Sequence, residues 1–209
     1  MMSINAQIAT WKHDAPFAYS VAYDEGTVDC LANAYPIHQK HGFPGHVNVV
    51  AGQIGKIRNC FRSPLNGYAH MSATELAVLT DAGWSVGNHS WSHFVYPCQP
   101  GLDLYREIVW ARYRLEDKLG HPVRVFALPN DAYYYEPMIE LVRESHMACI
   151  ANCFMSPNRP DIDLFEIGNM RLSSAPYPPR PSWPESLTTD QIDLTDVEGG
   201  WLHDTTHLC

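Results

Sequence analysis

The sequence predicts an α/β fold of parallel βα units, either closed as a barrel or laid out as a doubly wound sheet. Three observations carry that prediction. Short apolar runs alternate with longer amphipathic ones along the chain. No internal repeat and no linker long enough to split the chain interrupts the alternation, so residues 1–209 read as one domain. At 209 residues and 45% hydrophobic, the chain also buries roughly 70% of the surface its unfolded form exposes, enough for a core without metals or disulfides. Any metal would then serve chemistry and not folding.

Taken in order, residues 17–23 read as a strand, 27–40 as a helix, and 47–51 as a second strand after the turn Gly42-Phe43-Pro44-Gly45. Residues 72–82 are a helix opened by a capping box of Ser72 and Glu75 and stopped at Gly83. Residues 84–87 form a short strand. The longest helix is predicted over 102–119, ended by Gly120 and Pro122, and 123–128 is the strand that follows. A helix over 133–146 and a strand over 147–151 come next, and 165–172 holds one more strand. Five of the 16 prolines fall within 176–184, which reads as an irregular loop of polyproline character. Residues 186–197 read as a helix, closed by Gly199-Gly200, and Trp201-Leu202-His203 starts the last strand.

Charge narrows the partners. With 14 Lys+Arg against 23 Asp+Glu the formal net charge is −9, and no basic run is present, which excludes nucleic acid and anionic membranes as partners. The start has no basic or apolar leader pattern and no stretch of about 18 apolar residues occurs, so the expectation is a cytoplasmic protein unless a leader precedes this chain. Six scattered cysteines without a Cys-x-x-Cys pair argue against a disulfide scaffold, and Cys149 and Cys153 read as core thiols. Oligomeric state is not legible.

In either fold, ligands bind beyond the carboxyl ends of the strands. Polar clusters stand at four such ends: Tyr23-Asp24-Glu25-Gly26-Thr27, Asn88-His89-Ser90-Trp91-Ser92-His93, Leu128-Pro129-Asn130-Asp131 and His203-Asp204. Asp24-Glu25 alone reads equally as a solvated helix start favoured by the helix dipole. His89 and His93 are spaced i, i+4, so a helical turn would put both imidazoles on one side, within reach of one ion. A carboxylate from Asp24-Glu25 would complete a three-ligand site with an open position for water, and the neighbouring carboxylate could take a proton. His46 and Asn48 alternate with Val47 and Val49, and so point to one side of the second strand, either lining the site or forming a structural pair. His207 reads as a tail residue.

These motifs resemble the polysaccharide deacetylases with the NodB homology domain, carbohydrate esterase family four. Tyr23-Asp24-Glu25-Gly26-Thr27 is similar to the family's T-F-D-D-G and His89-Ser90-Trp91-Ser92-His93 to its H-S/T-x-x-H, with Ala82 to Asn88 as the usual lead-in. Phe126-Ala127-Leu128-Pro129-Asn130 falls where R-x-P-Y belongs, and Gly199-Gly200-Trp201-Leu202-His203-Asp204 resembles the strand ending in His-Asp. Glu25 replaces the usual second Asp, and Ala127 stands where the family has the Arg that orients its base. The resemblance implies a deformed (β/α) barrel of the NodB type, open at its C-terminal end if the last strand fails to close it, forming one catalytic domain over 1–209. It also implies metal-dependent removal of N- or O-acetyl groups from a carbohydrate polymer or oligomer. Carried over, Asp24 is the base and His203 the acid, and Glu25, His89 and His93 hold a divalent metal, zinc first, with cobalt or nickel as alternatives. A backbone N–H near Pro129 and Asn130 would help hold the oxyanion. Tyr23, Trp91, Tyr177, Arg180 and Trp183 are further candidate substrate contacts. Two other readings stay open: hydrolysis of a small amide or cyclic ureide on the same fold, and a barrel that binds glycan without catalysis.

Overall fold

The computed structural model describes residues 11–12, 15–59, 65–131, 135–153, 157–171 and 199–207. Seven parallel strands form the barrel: β1 (Ala18–Tyr23), β2 (His46–Val49), β3 (Ser85–Asn88), β4 (Val125–Ala127), β5 (Ala148–Cys153), β6 (Ile167–Arg171) and β7 (Trp201–Thr206). Neighbours in space follow chain order, and β7 returns to β1 from Ala18↔Trp201 to Tyr23↔Thr206. The C-terminal end, where the sequence allowed an opening, is therefore sealed by the longest pairing in the barrel. Its thinnest seam is between β3 and β4, which share the single register pair Asn88↔Phe126.

Helices α1 (Tyr35–His41), α2 (Ala73–Asp81), α3 (Ala111–Leu119) and α4 (Glu136–Ser145) cover the outside. The capping box of α2 forms as predicted: the Glu75 backbone N–H donates to Ser72 Oγ and the Ser72 N–H to the Glu75 carboxylate at 2.7 Å. Helix α3 stops at Gly120, which takes φ 72°, a left-handed conformation open to glycine. The two long helices expected over 27–40 and 102–119 instead begin as π-helical turns, Cys30–Ala34 and Arg106–Trp110, before α1 and α3. The proline-rich loop, the helix expected over 186–197, and with them Tyr177, Arg180 and Trp183, lie outside the described residues.

Strand alternation sorts side chains into two layers. Val21, Tyr23, Val47, Val49 and Val86 face outward and pack under Leu76, Leu79 and Leu115. Phe126, Leu128, Cys149 and Ala151 do the same under Ile108, Met138, Ile139 and Val142. Between them the opposite faces of β4 to β7 fill the barrel interior with Ala127, Ile150 and Ile167, packed against Val125, Ala148 and Trp201. The apolar interior stops short of the carboxyl ends, where the polar residues gather. No described helix is long and apolar enough to cross a membrane.

Candidate active site at the barrel mouth

Asp24 and Glu25 follow the last residue of β1, and His89 follows β3. Both strands thus deliver their acidic or imidazole groups to one rim. Donor atoms of Glu25, His89 and His93 lie within 4.8 Å of one another. His93 Nε2 is 3.0 Å from Glu25 Oε1, and His89 Nε2 is 4.0 Å from Asp24 Oδ2. Glu25 is 2% exposed and His89 1%.

The two histidines do not share a helical turn, as their spacing suggested. Residues 89–93 form a loop in which Ser90 (φ 65°) and His93 (φ 58°) are left-handed, folding His93 back so that the rings meet edge to face at 4.9 Å. The Ser90 hydroxyl accepts the His93 backbone N–H at 2.8 Å and holds that fold. Among the described residues, four non-glycine positions are left-handed, Glu25, Ser90, His93 and Asn130, and all four stand in loops at the carboxyl ends of strands. Each costs about 1–2 kcal/mol, a strain that concentrates at functional sites.

Sequence reasoning missed the residues that hold this loop and its carboxylate. Glu107, fully buried, accepts from the Ser92 N–H at 2.8 Å and the Ser92 hydroxyl at 3.0 Å, while its own carbonyl accepts the Trp91 N–H. Arg58 donates to Glu25 Oε2 at 2.6 Å in a pair that is buried on both sides. Burial alone would raise the Glu25 pKa, but the hydrogen bond and charge of His93, then His89 and Arg58, outweigh it, and the carboxyl sits below its ordinary range. His70 Nδ1 lies 3.0 Å from the Glu25 carbonyl. Arg58 and His70 come from a loop without periodicity, so nothing in the sequence pattern marked them.

The donor set fits a divalent metal. His89 Nδ1 is 2.9 Å from the Ala127 carbonyl, which can only accept, so Nδ1 carries the proton and Nε2 presents a lone pair. That Nε2 is buried with no hydrogen-bond partner. A buried acceptor left bare costs free energy unless something fills the position, and Glu25 and His93 each offer a ligand atom within 4.8 Å of one from His89. Two imidazoles and one carboxylate are a donor set that suits zinc.

Two of the candidate residues stand away from the mouth. Tyr23 is not at the mouth: being one residue from Asp24 on an alternating strand, it points outward, 8% exposed, with its hydroxyl 2.8 Å from His38 Nε2 and its ring stacked on Trp84. His203 is not at the mouth either. Strand β7 continues three residues beyond it, about 10 Å at 3.3 Å per residue, and His203 lies inside the barrel with Nδ1 2.6 Å from Ser20 Oγ. Burial, reinforced by His46, pushes its imidazole down to about 3. Of the two histidines in the β7 segment, the one that reaches Asp24 is His207, whose Nε2 lies 3.8 Å from Asp24 Oδ2. The Asp24 N–H donates to the Thr206 carbonyl at 2.8 Å, which ties the end of β7 to that of β1.

The remaining candidates are near the rim. Pro129 is buried, and Asn130 is exposed at φ 62° with its amide donating to the Phe94 carbonyl at 3.2 Å. Trp91 is half-buried against Gly52.

Comparison with known proteins bears on the family and the fold. The family model described as polysaccharide deacetylase matches residues 13–149. Among curated proteins none matches the chain. Among solved structures, IcaB from Ammonifex degensii superposes with a TM-score of 0.61 at 17% identity, covering 86% of this chain and 72% of that one. A polysaccharide deacetylase from Bacillus cereus gives 0.60 at 16% identity, covering 85% of this chain and 50% of its own. The deacetylase domain of BpsB from Bordetella bronchiseptica gives 0.54 at 15%, covering 69% and 67%. At these identities the likeness is one of fold.

Proposed function

Because this chain belongs to the polysaccharide deacetylase family, we propose that it is a metal-dependent hydrolase that removes acetyl groups from a carbohydrate polymer or oligomer. The observation that carries this reading is the bare, buried His89 Nε2 converging with His93 and Glu25 beside a second carboxylate, Asp24. Glu25, His89 and His93 would hold the ion, zinc first and cobalt or nickel as alternatives. When bound, such an ion polarises an acyl carbonyl and lowers the pKa of water.

The chain's own groups account for the rest. Asp24, at the rim and 6% exposed, accepts the proton of the attacking water. His207, partly exposed and beside Asp24, donates the proton that the leaving amine or alkoxide needs, in place of the enclosed His203. The left-handed turn at Asn130 supports a role for backbone N–H groups there in holding the oxyanion. Arg58 keeps one oxygen of Glu25 engaged and leaves the other facing His93. Metal content of the purified protein, followed by acetate release from acetylated glucosamine oligomers, tests the reading. About one metal per chain with acetate release supports it, and a well-folded protein that takes up no divalent metal would sink it.

A further inference from the structure

Asp24 needs an orienting partner, and Ala127 offers no side-chain donor. Among the described residues, the only hydrogen bond that the Asp24 carboxylate accepts comes from Asn48 Nδ2, at 2.8 Å from Oδ1. Asn48 is fully buried on β2. A carboxylate can only accept here, so the amide must face it with its NH2, and Asn48 Oδ1 is turned the other way. There it meets His46 Nε2 at 2.7 Å, two residues earlier on the same face of the strand. Since Oδ1 can only accept, His46 must carry its proton on Nε2. His46 Nδ1 is then an acceptor, and Ser85 Oγ on β3 lies 2.7 Å from it. Every member of the row Ser85, His46, Asn48, Asp24 thus has one orientation that satisfies its neighbours.

Room for this row comes from β3. A Cβ on Gly87 would lie 2.6 Å from His46 Nε2 and would collide with Asn48 Oδ1 as well. Any side chain larger than hydrogen at residue 87 would break the row at its middle bond. Burial also favours neutral His46, so the row brings no charge of its own to the Asp24 carboxyl group.

We propose that Asn48 is the positioning residue for Asp24, with its amide orientation set by His46 and Ser85 through the gap left by Gly87. This rests on the assignment of Asp24 as the base. A positioning role predicts that Asn48→Leu, which keeps the volume and removes the donor, lowers kcat about 100-fold while KM and metal content stay near those of the wild type. His46→Leu should lower kcat about tenfold, and His46→Gln, which restores an N–H toward Asn48 Oδ1, should recover most of that loss. Nitrogen-15 spectra give a second readout: the His46 ring proton should sit on Nε2 in the wild type, and Asn48→Leu should abolish that preference.

A folded Asn48→Leu protein with undiminished kcat would overturn the proposal, as would a wild-type His46 protonated on Nδ1. Should Asn48→Leu fail to fold, the His46 pair of variants decides in the same way. Asp24→Asn run alongside separates the two levels: full activity in that variant overturns the base assignment, whereas loss of its activity with none in Asn48→Leu overturns the positioning role alone.

Discussion

The rim and the interior of this barrel use the same side chains for opposite ends. At the rim, Asp24, Glu25, His89, His93 and His207 stand beside one another with the charged pair Arg58–Glu25 at the edge. Three residues down β7, His203 is enclosed beside Ser20 and Trp201, and burial holds it neutral. The imidazoles are chemically identical. What differs is depth, because each two residues along a strand move a side chain by about 7 Å on the same face. A histidine one or two pleats below the rim has lost water and gained a fixed partner, while one just beyond the strand keeps both exposure and a carboxylate neighbour. Position in a motif does not tell these apart, whereas position along the strand pairing does.

The largest test of that contrast is at the rim. His89→Ala combined with His93→Ala should drop metal content from about one per chain to near none and abolish acetate release, with the thermal midpoint little changed because the core is built without the site. Metal retention by the double variant would break the contrast outright. Next, Asp24→Asn should keep the metal and lose about 10²- to 10⁴-fold in kcat, read by acetate release and elemental analysis on the same sample.

A matched pair of substitutions sharpens the comparison further. His207→Ala should lower kcat about 100-fold with its melting curve unmoved. His203→Ala should do the reverse, losing about 5 °C of thermal midpoint with kcat largely kept. Reversed outcomes would return the acid role to His203 and mean that the interior is reached during turnover.

The smallest effect is in the acid stability of the buried titratable groups. His203 and His146 are both pushed by burial from 6.5 to about 3. The unfolded chain therefore binds protons below pH 6.5 that the folded chain refuses, and stability is lost as pH falls from 6.5 toward 3. At pH 5 this amounts to about 2 kcal/mol for each buried histidine. Asp204 works the other way: burial raises it from 3.8 to about 6, so the folded chain gains a proton first and stability rises as pH falls between those values. Two histidines outweigh one carboxyl, and melting curves from pH 7 to pH 5 should fall, more steeply in Asp204→Asn. A midpoint that rises toward pH 5 in that variant would contradict the buried, neutral state of these histidines.

Much of the rim was legible in the chain. Alternation predicted the strands, and strand ends predicted where Asp24, Glu25, His89 and His93 would stand, because parallel βα units send their carboxyl ends to one side. His46 and Asn48 were legible as a same-face pair, but which face they took, and that Asn48 meets Asp24, depended on the closure of β1 against β2. Arg58 and Glu107 left no trace in the sequence pattern. Each acts through a loop or helix that arrives beside the site from elsewhere in the chain, and long-range approach has no periodicity.

By itself, then, the sequence determined the α/β class, the order of the elements, the residues at each strand end and the family they belong to, since these follow from local patterns of two and 3.6 residues and from short motifs. Only the tertiary structure decided that β7 closes the barrel, that His203 lies within it and His207 at its rim, and that Asn48 faces Asp24. Those depend on register between strands far apart in the chain, where a shift of one residue would turn every side chain to the other face.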